Sequence, residues 1–210
     1  MASVKKFSEA EVINQLRHIE RTIYNPTNKD IDMDKTHLNY SLSPQREVSS
    51  LNYYKHRKSE LHCMNRKDVK TLAGWIITVP TDLPVNEHRH FFSSCYDFLK
   101  DKYSEKNVIQ AVVHVDESGQ PHLHFCFIPA VPDMKRGGEK ICAKEVLNRT
   151  ELQNFHPALQ KHLTEHGIKA NIMSGITKAQ GGNRTVSELK KERSLKIEKQ
   201  RDTEKNYGRW

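Results

Sequence analysis

Residues 108–128 constrain what this chain can fold into more than any other stretch. Residues 108–113 (Val-Ile-Gln-Ala-Val-Val) and 123–128 (Leu-His-Phe-Cys-Phe-Ile) each read as a buried strand, rich in β-branched and aromatic side chains and free of charge. A short polar turn separates them, with Gly119 near its apex. If Glu117, Ser118 and Gly119 form a three-residue loop, Gly119 takes the left-handed position, Asp116 faces Gln120 and His114 faces His122. Directly opposed residues of an antiparallel pair share a face, with Cβ atoms ~5 Å apart. His124, two residues further on, shares that face as well. Three imidazoles therefore converge, while Leu123, Phe125 and Phe127 turn into the core behind them. The ligand set His114, His122 and His124 is rich in nitrogen and incomplete. It leaves positions open for water or substrate, which fits a catalytic divalent cation better than a closed structural site.

Charge narrows the partner. The 210 residues carry 34 Lys and Arg against 26 Asp and Glu, a formal charge of +8. That balance favours an anionic partner, with nucleic acid first among them. The four cysteines form no Cys-x-x-Cys pair, so they read as core thiols of a reducing compartment rather than a disulfide framework. With no export signal and no apolar run of membrane-spanning length, the expected location is the cytoplasm.

Ser8 caps a first helix whose Val12, Ile13, Leu16, Ile19 and Ile23 recur at helical spacing to about residue 21, with Asn14, His18 and Arg21 together on another face. Turn formers at 25–30 precede an alternating strand pattern over 37–42. Residues 50–70 are basic and aromatic, and read as a surface helix or loop bearing Lys55, Arg57, Lys58, Arg66 and Lys67. Residues 73–79 form a central strand with Trp75 in the core. Pro84 opens a helix that turns Phe91, Phe92, Cys95, Phe98 and Leu99 inward. Gly137 and Gly138 mark a turn before a short edge strand at 140–142. A capping box at Thr150 starts a helix carrying Leu152, Phe155, Leu159 and Leu163 to Gly167, and Pro157 should kink or break it. The last stretch, 184–210, holds nine Lys/Arg and five Asp/Glu and reads as a basic helical extension to a domain spanning 1–183. Helices alternating with antiparallel strands give an α+β class: a central antiparallel sheet with helices packed against it.

These blocks, in this order, resemble the Mob/Pre (MobV) family of plasmid mobilisation relaxases, within the HUH endonucleases. His122-Leu123-His124 matches the signature of two histidines around one hydrophobic residue, and His114-Val115-Asp116-Glu117 followed by Pro121-His122-Leu123-His124 resembles the family's metal motif. His18-Ile19-Glu20-Arg21 resembles its N-terminal His-Asn-x-Arg motif, and Asn28-Lys29-Asp30 with His37-Leu38-Asn39-Tyr40 its second block. Two departures stand out: Ile19 replaces the usual Asn, and the turn between Glu117 and Pro121 is one residue longer.

The resemblance implies site- and strand-specific nicking of single-stranded or hairpin origin-of-transfer DNA, with a covalent link to the 5′ phosphate. It implies His18 as nucleophile, with Tyr40 or Tyr24 as the tyrosine alternatives, Arg21 as neutraliser of the phosphate, and Glu117 beside the metal. The implied cofactor is Mn2+ or Mg2+, with Zn2+ also open. Implied DNA contacts are Arg21, Asn28, Lys29, His37, Asn39 and Tyr40, beside the basic patch, and a conjugation coupling protein is a further candidate partner. Two other readings remain open: an HUH-type replication initiator, and a non-catalytic DNA-binding protein with a structural metal.

Overall fold

The computed structural model describes residues 2–23, 28 and 30–173. Five strands form one sheet in the order β1-β3-β5-β4-β2: β1 (Ala2–Ser8), β2 (Tyr40–Ser41), β3 (Lys70–Thr78), β4 (Val108–His114) and β5 (His122–Phe127). Every pairing is antiparallel. A separate ribbon joins β6 (Ala130–Pro132) to β7 (Glu139–Ile141), with Gly137 and Gly138 at φ of 76° and 71° in the turn between them. The helices are α1 (Glu9–Ile19), α2 (Ser50–Ser59), α3 (His88–Tyr103), α4 (Ala143–Val146) and α5 (Arg149–Glu165). None of the described helices is long and apolar enough to cross a membrane.

Alternation along β5 divides the interior into two cores. Leu123, Phe125 and Phe127 pack with Trp75, Ala111 and Val113 against Phe91, Phe92 and Leu99 of α3 and Phe155, Leu159 and Leu163 of α5. Trp75 stacks on Phe155 with ring centroids 3.5 Å apart, and its indole N–H donates to the Tyr103 hydroxyl at 2.9 Å. On the opposite face, Cys126 joins Phe7, Leu72 and Ile109 beneath Val12, Leu16 and Ile19 of α1 and Tyr54 of α2. Gly74 has no room for a side chain on this face: a Cβ there would stand 3.2 Å from the Phe7 ring and 3.3 Å from Cys126 Sγ. His114, His122 and His124 lie on the α1 side, at the end of this second core.

Several local expectations are corrected. Residues 2–8 form a strand that the sequence reading missed. Only Tyr40–Ser41 of the 37–42 pattern pairs, because Met33–Leu38 folds as a 3-10 helix, capped where the Asp32 side chain accepts from the Asp34 N–H at 3.2 Å. The link between β4 and β5 is not a three-residue loop: residues 115–121 lie outside both strands, Glu117 bridges Ile31, and Gly119 is absent from the left-handed glycines. α5 is capped by Asn148, whose Oδ1 accepts from Glu151 N–H at 2.9 Å, rather than by Thr150. Pro157 leaves α5 one continuous helix; Phe155, Leu159 and Leu163, on both sides of it, bind both halves to the same core. The boundary at 183/184 and the extension over 184–210 lie outside the described residues, as do Tyr24 and Lys29.

Candidate active site

The register places His114 opposite His122, and Val112 opposite His124, so the three imidazoles share the α1 face of the sheet. One ligand nitrogen from each lies within 4.8 Å of the others. The Nε2 atoms of His122 and His124 are 3.1 Å apart. His114 Nε2 stands 2.9 Å from the carbonyl of Ile19. A carbonyl only accepts, so Nε2 carries the proton and Nδ1 keeps its lone pair. That Nδ1 is buried without a hydrogen-bond partner and stands 3.9 Å from Glu117 Oε1. An orphaned buried acceptor of this kind needs an explanation. A cation held by this nitrogen together with His122 and His124 supplies one, so the donor set fits a divalent metal.

Burial also sets the protonation. It pushes the His114 pKa down to about 4, against the upward pull of the Ile19 carbonyl, with the Arg21 charge adding to the fall. Burial, helped by the neighbouring imidazoles, holds His124 well below its ordinary value. Both rings are neutral near pH 7, the form that binds metal. His18, half-buried in the last turn of α1, places its ring centroid 5.8 Å from that of His124 and 6.2 Å from that of His114. Its pKa is lowered by burial and then by the Arg21 charge.

Arg21 departs from expectation. It lies beyond α1, at a left-handed φ of 56°, rather than one turn along the helix face from His18. Its Nε and Nη2 donate to the two oxygens of Asp116 at 2.8 and 2.7 Å, Nη2 also reaches Glu117 Oε1 at 2.8 Å, and Nη1 reaches the His18 carbonyl at 3.1 Å. The guanidinium is thus engaged inside the protein. Asp116 is the residue that sequence reasoning missed. Its carboxylate is fully buried and also accepts from Thr36 Oγ1 at 3.0 Å. Burial works to raise its pKa, yet the Arg21 fork holds it well below the usual carboxylate range. An Asp in a hairpin link reads as a turn former, and nothing local points to a partner 95 residues away.

The remaining positions separate clearly. Asn39 Oδ1 accepts from the Val115 N–H at 2.9 Å and steadies the link, whereas His37 is exposed. Asn28 Oδ1 accepts from the Asp30 N–H in a local turn. Tyr40 pairs with Val113 and packs with the α3 core, on the face of the sheet opposite the histidines. Arg57 is buried: it donates to Asn107 Oδ1, Glu60 and Glu139 at 3.0, 2.8 and 2.6 Å and is no part of a surface patch. Lys58 pairs with Glu9 and Arg66 with Asp68, while Lys55 and Lys67 are exposed.

With this geometry in hand, the likeness to known proteins is specific. The plasmid recombination enzyme family (Mob_Pre) matches residues 1–191. Plasmid recombination enzymes of Streptococcus agalactiae and Lactiplantibacillus plantarum are each 30% identical to the chain, over 91% and 94% of it. The chain spans only 38% and 55% of their lengths. Among solved structures, a MobM relaxase domain (MOBV; Mob_Pre) bound to plasmid pMV158 oriT DNA, in a Mn-bound crystal structure at pH 6.8, is 27% identical with a TM-score of 0.71. That match covers 91% of this chain and 97% of the other. The chain therefore belongs to the Mob_Pre family of plasmid recombination enzymes.

Proposed function

We propose that residues 1–183 are the nicking domain of a metal-dependent plasmid relaxase, with His18 as nucleophile and residues 184–210 as a basic extension. The observation that carries this reading is placement: α1 brings His18 to the histidine cluster, while Tyr40 is on the other side of the sheet. His114 Nδ1, with His122 and His124, would hold the divalent cation, Mn2+ or Mg2+, and Glu117 stands close enough to complete the set. Such a cation stabilises the charge that develops on a non-bridging phosphate oxygen.

Burial keeps the His18 ring neutral, so a nitrogen lone pair is available for in-line attack. The P–N bond forms as the P–O3′ bond breaks. The attacking ring gives up its N–H proton, the 3′ oxygen leaves protonated, and the 5′ phosphate stays on the imidazole as a phosphoramidate. Lys55, Lys67 and Arg66 are the cations of the patch that face solvent and would hold the DNA backbone, with Lys29, His37 and Asn28 as further candidate contacts. A coupling protein is the expected partner for transfer of the nicked strand.

The test uses a single-stranded origin oligonucleotide with Mn2+ and follows covalent protein–DNA product. Wild type should form an acid-labile, base-resistant adduct, and His18→Ala none. An acid-stable adduct surviving in His18→Ala would move the role to a tyrosine.

A further inference from the structure

The last turn of α1 is tied to the metal hairpin by two polar struts, and both leave from backbone carbonyls beside the nucleophile. The Ile19 carbonyl accepts from His114 Nε2 at 2.9 Å. The His18 carbonyl accepts from Arg21 Nη1 at 3.1 Å, and the same guanidinium grips Asp116, two residues beyond His114. Asp116 is itself anchored. Its backbone carbonyl accepts from the Asp32 N–H at 2.7 Å, its Oδ2 from Thr36 Oγ1 at 3.0 Å, and the preceding Val115 N–H donates to Asn39. A two-point fork fixes direction as well as distance, which a point charge cannot do.

We propose that Asp116, acting through Arg21, sets the position of His18 against the histidine cluster, so that Arg21 is a positioning residue and not a phosphate contact. The inference rests on His18 being the nucleophile. Three observations support it. Arg21 spends its donors on four oxygens of three residues, and its side chain is 6% exposed. Its single positive charge is already matched by two carboxylates, Asp116 and Glu117, which leaves little of it to hold a phosphate. Arg21 also holds a left-handed backbone, uncommon for a non-glycine residue, and the same residue's side chain is the one clamped by the fork.

The experiment compares Arg21→Ala, Arg21→Lys, Asp116→Asn and the Arg21→Ala/Asp116→Asn double variant with wild type. Single-turnover nicking is measured at saturating protein, well below the melting temperature, with Mn2+ raised until the rate no longer responds. Affinity for the same oligonucleotide is measured without metal across a salt series. Each variant should nick about 30- to 100-fold more slowly, the scale of a nucleophile displaced by an ångström. DNA affinity should stay within about threefold and the salt slope should not change. The double variant should be no slower than the worse single, as expected of one unit. Arg21→Lys should fail like Arg21→Ala, because charge without the fork does not position.

A merely structural role would lower the melting temperature and leave the low-temperature rate intact, which overturns the proposal. A phosphate contact would show as weaker binding and a salt slope shallower by about 0.7 in Arg21→Ala, with Arg21→Lys near wild type, and that also overturns it. Thr36→Val removes a single bond to Asp116 from outside the site, so it tests the strut even if Asp116→Asn does not fold. It should slow nicking about three- to tenfold at unchanged affinity, and a wild-type rate there counts against the proposal. Loss of the adduct in wild type, or its persistence in His18→Ala, would instead undo the assignment of the nucleophile.

Discussion

Arg57 belongs to the architecture of α2 and not to its DNA-facing surface, and its replacement by Ala separates the two. The Nε bond to Asn107 Oδ1, at 3.0 Å and buried, contributes about 1 kcal/mol. Its loss also strands that oxygen on a residue 3% exposed, which adds about 1 kcal/mol or somewhat more. The pairs with Glu60 and Glu139, at 2.8 and 2.6 Å, involve carboxylates whose side chains are 47% and 30% exposed. Solvent screens them, so each adds only about 0.5 kcal/mol. The sum is about 3 kcal/mol of destabilisation, which for a domain of this size lowers the melting temperature by roughly 6–12 °C. Thermal unfolding followed by circular dichroism reads the shift, and fluorescence anisotropy with an origin oligonucleotide at low temperature reads affinity. Affinity should be unchanged. A variant that melts like wild type but binds DNA several-fold more weakly would refute the reasoning, because it would mean that Arg57 reaches the nucleic acid.

Replacing Lys55, Arg66 and Lys67 together with Ala should have the opposite profile: stability within about 0.5 kcal/mol, and a weaker salt dependence of DNA binding. Asn148→Ala should cost about 1 kcal/mol and Thr150→Ala a few tenths at most, read by urea denaturation, because Asn148 caps α5. His114 has a folded-state pKa lowered to about 4 by burial, so its stabilising contribution is present above the unfolded value near 6.5 and is lost as pH falls towards 4. With a chelator present, the melting temperature should therefore drop as pH goes from 7 to 5, and less so in His114→Gln; equal slopes would contradict this. Mn2+ at about 100 times its dissociation constant should stabilise wild type by about 2.7 kcal/mol and leave His122→Ala unmoved.

The sheet face and the three histidines were legible because they are local. Strand periodicity alone opposes His114 to His122 and sends Leu123, Phe125 and Phe127 inward. The first strand was not legible: Lys5 and Lys6 interrupt its apolar pattern at the sheet edge, and only the pairing with β3 reveals it. The hairpin link was misjudged because its conformation follows from distant groups. Asp116 turns towards Arg21, and Glu117 bridges Ile31, instead of closing a tight loop. The same distance hid the difference between Arg57, which is buried, and Lys55, which is not, since both stand in one basic run. Placing His18 by sequence needed the family motif, since helix spacing says nothing of what a helix face will meet.

The two halves of the site also differ in when they can exist. The three clustered histidines lie within eleven consecutive residues of one hairpin, whereas His18 arrives from the other end of the sheet order, through β1 and β3. A hairpin can form early and on its own timescale, but long-range strand pairing waits for the rest of the chain. On the proposed assignment, a partly folded molecule would bring the three histidines together before His18 reaches them. On that assignment, metal content would overstate the fraction of competent protein in a preparation, whereas trapping of the proposed DNA adduct would count the molecules whose sheet is complete.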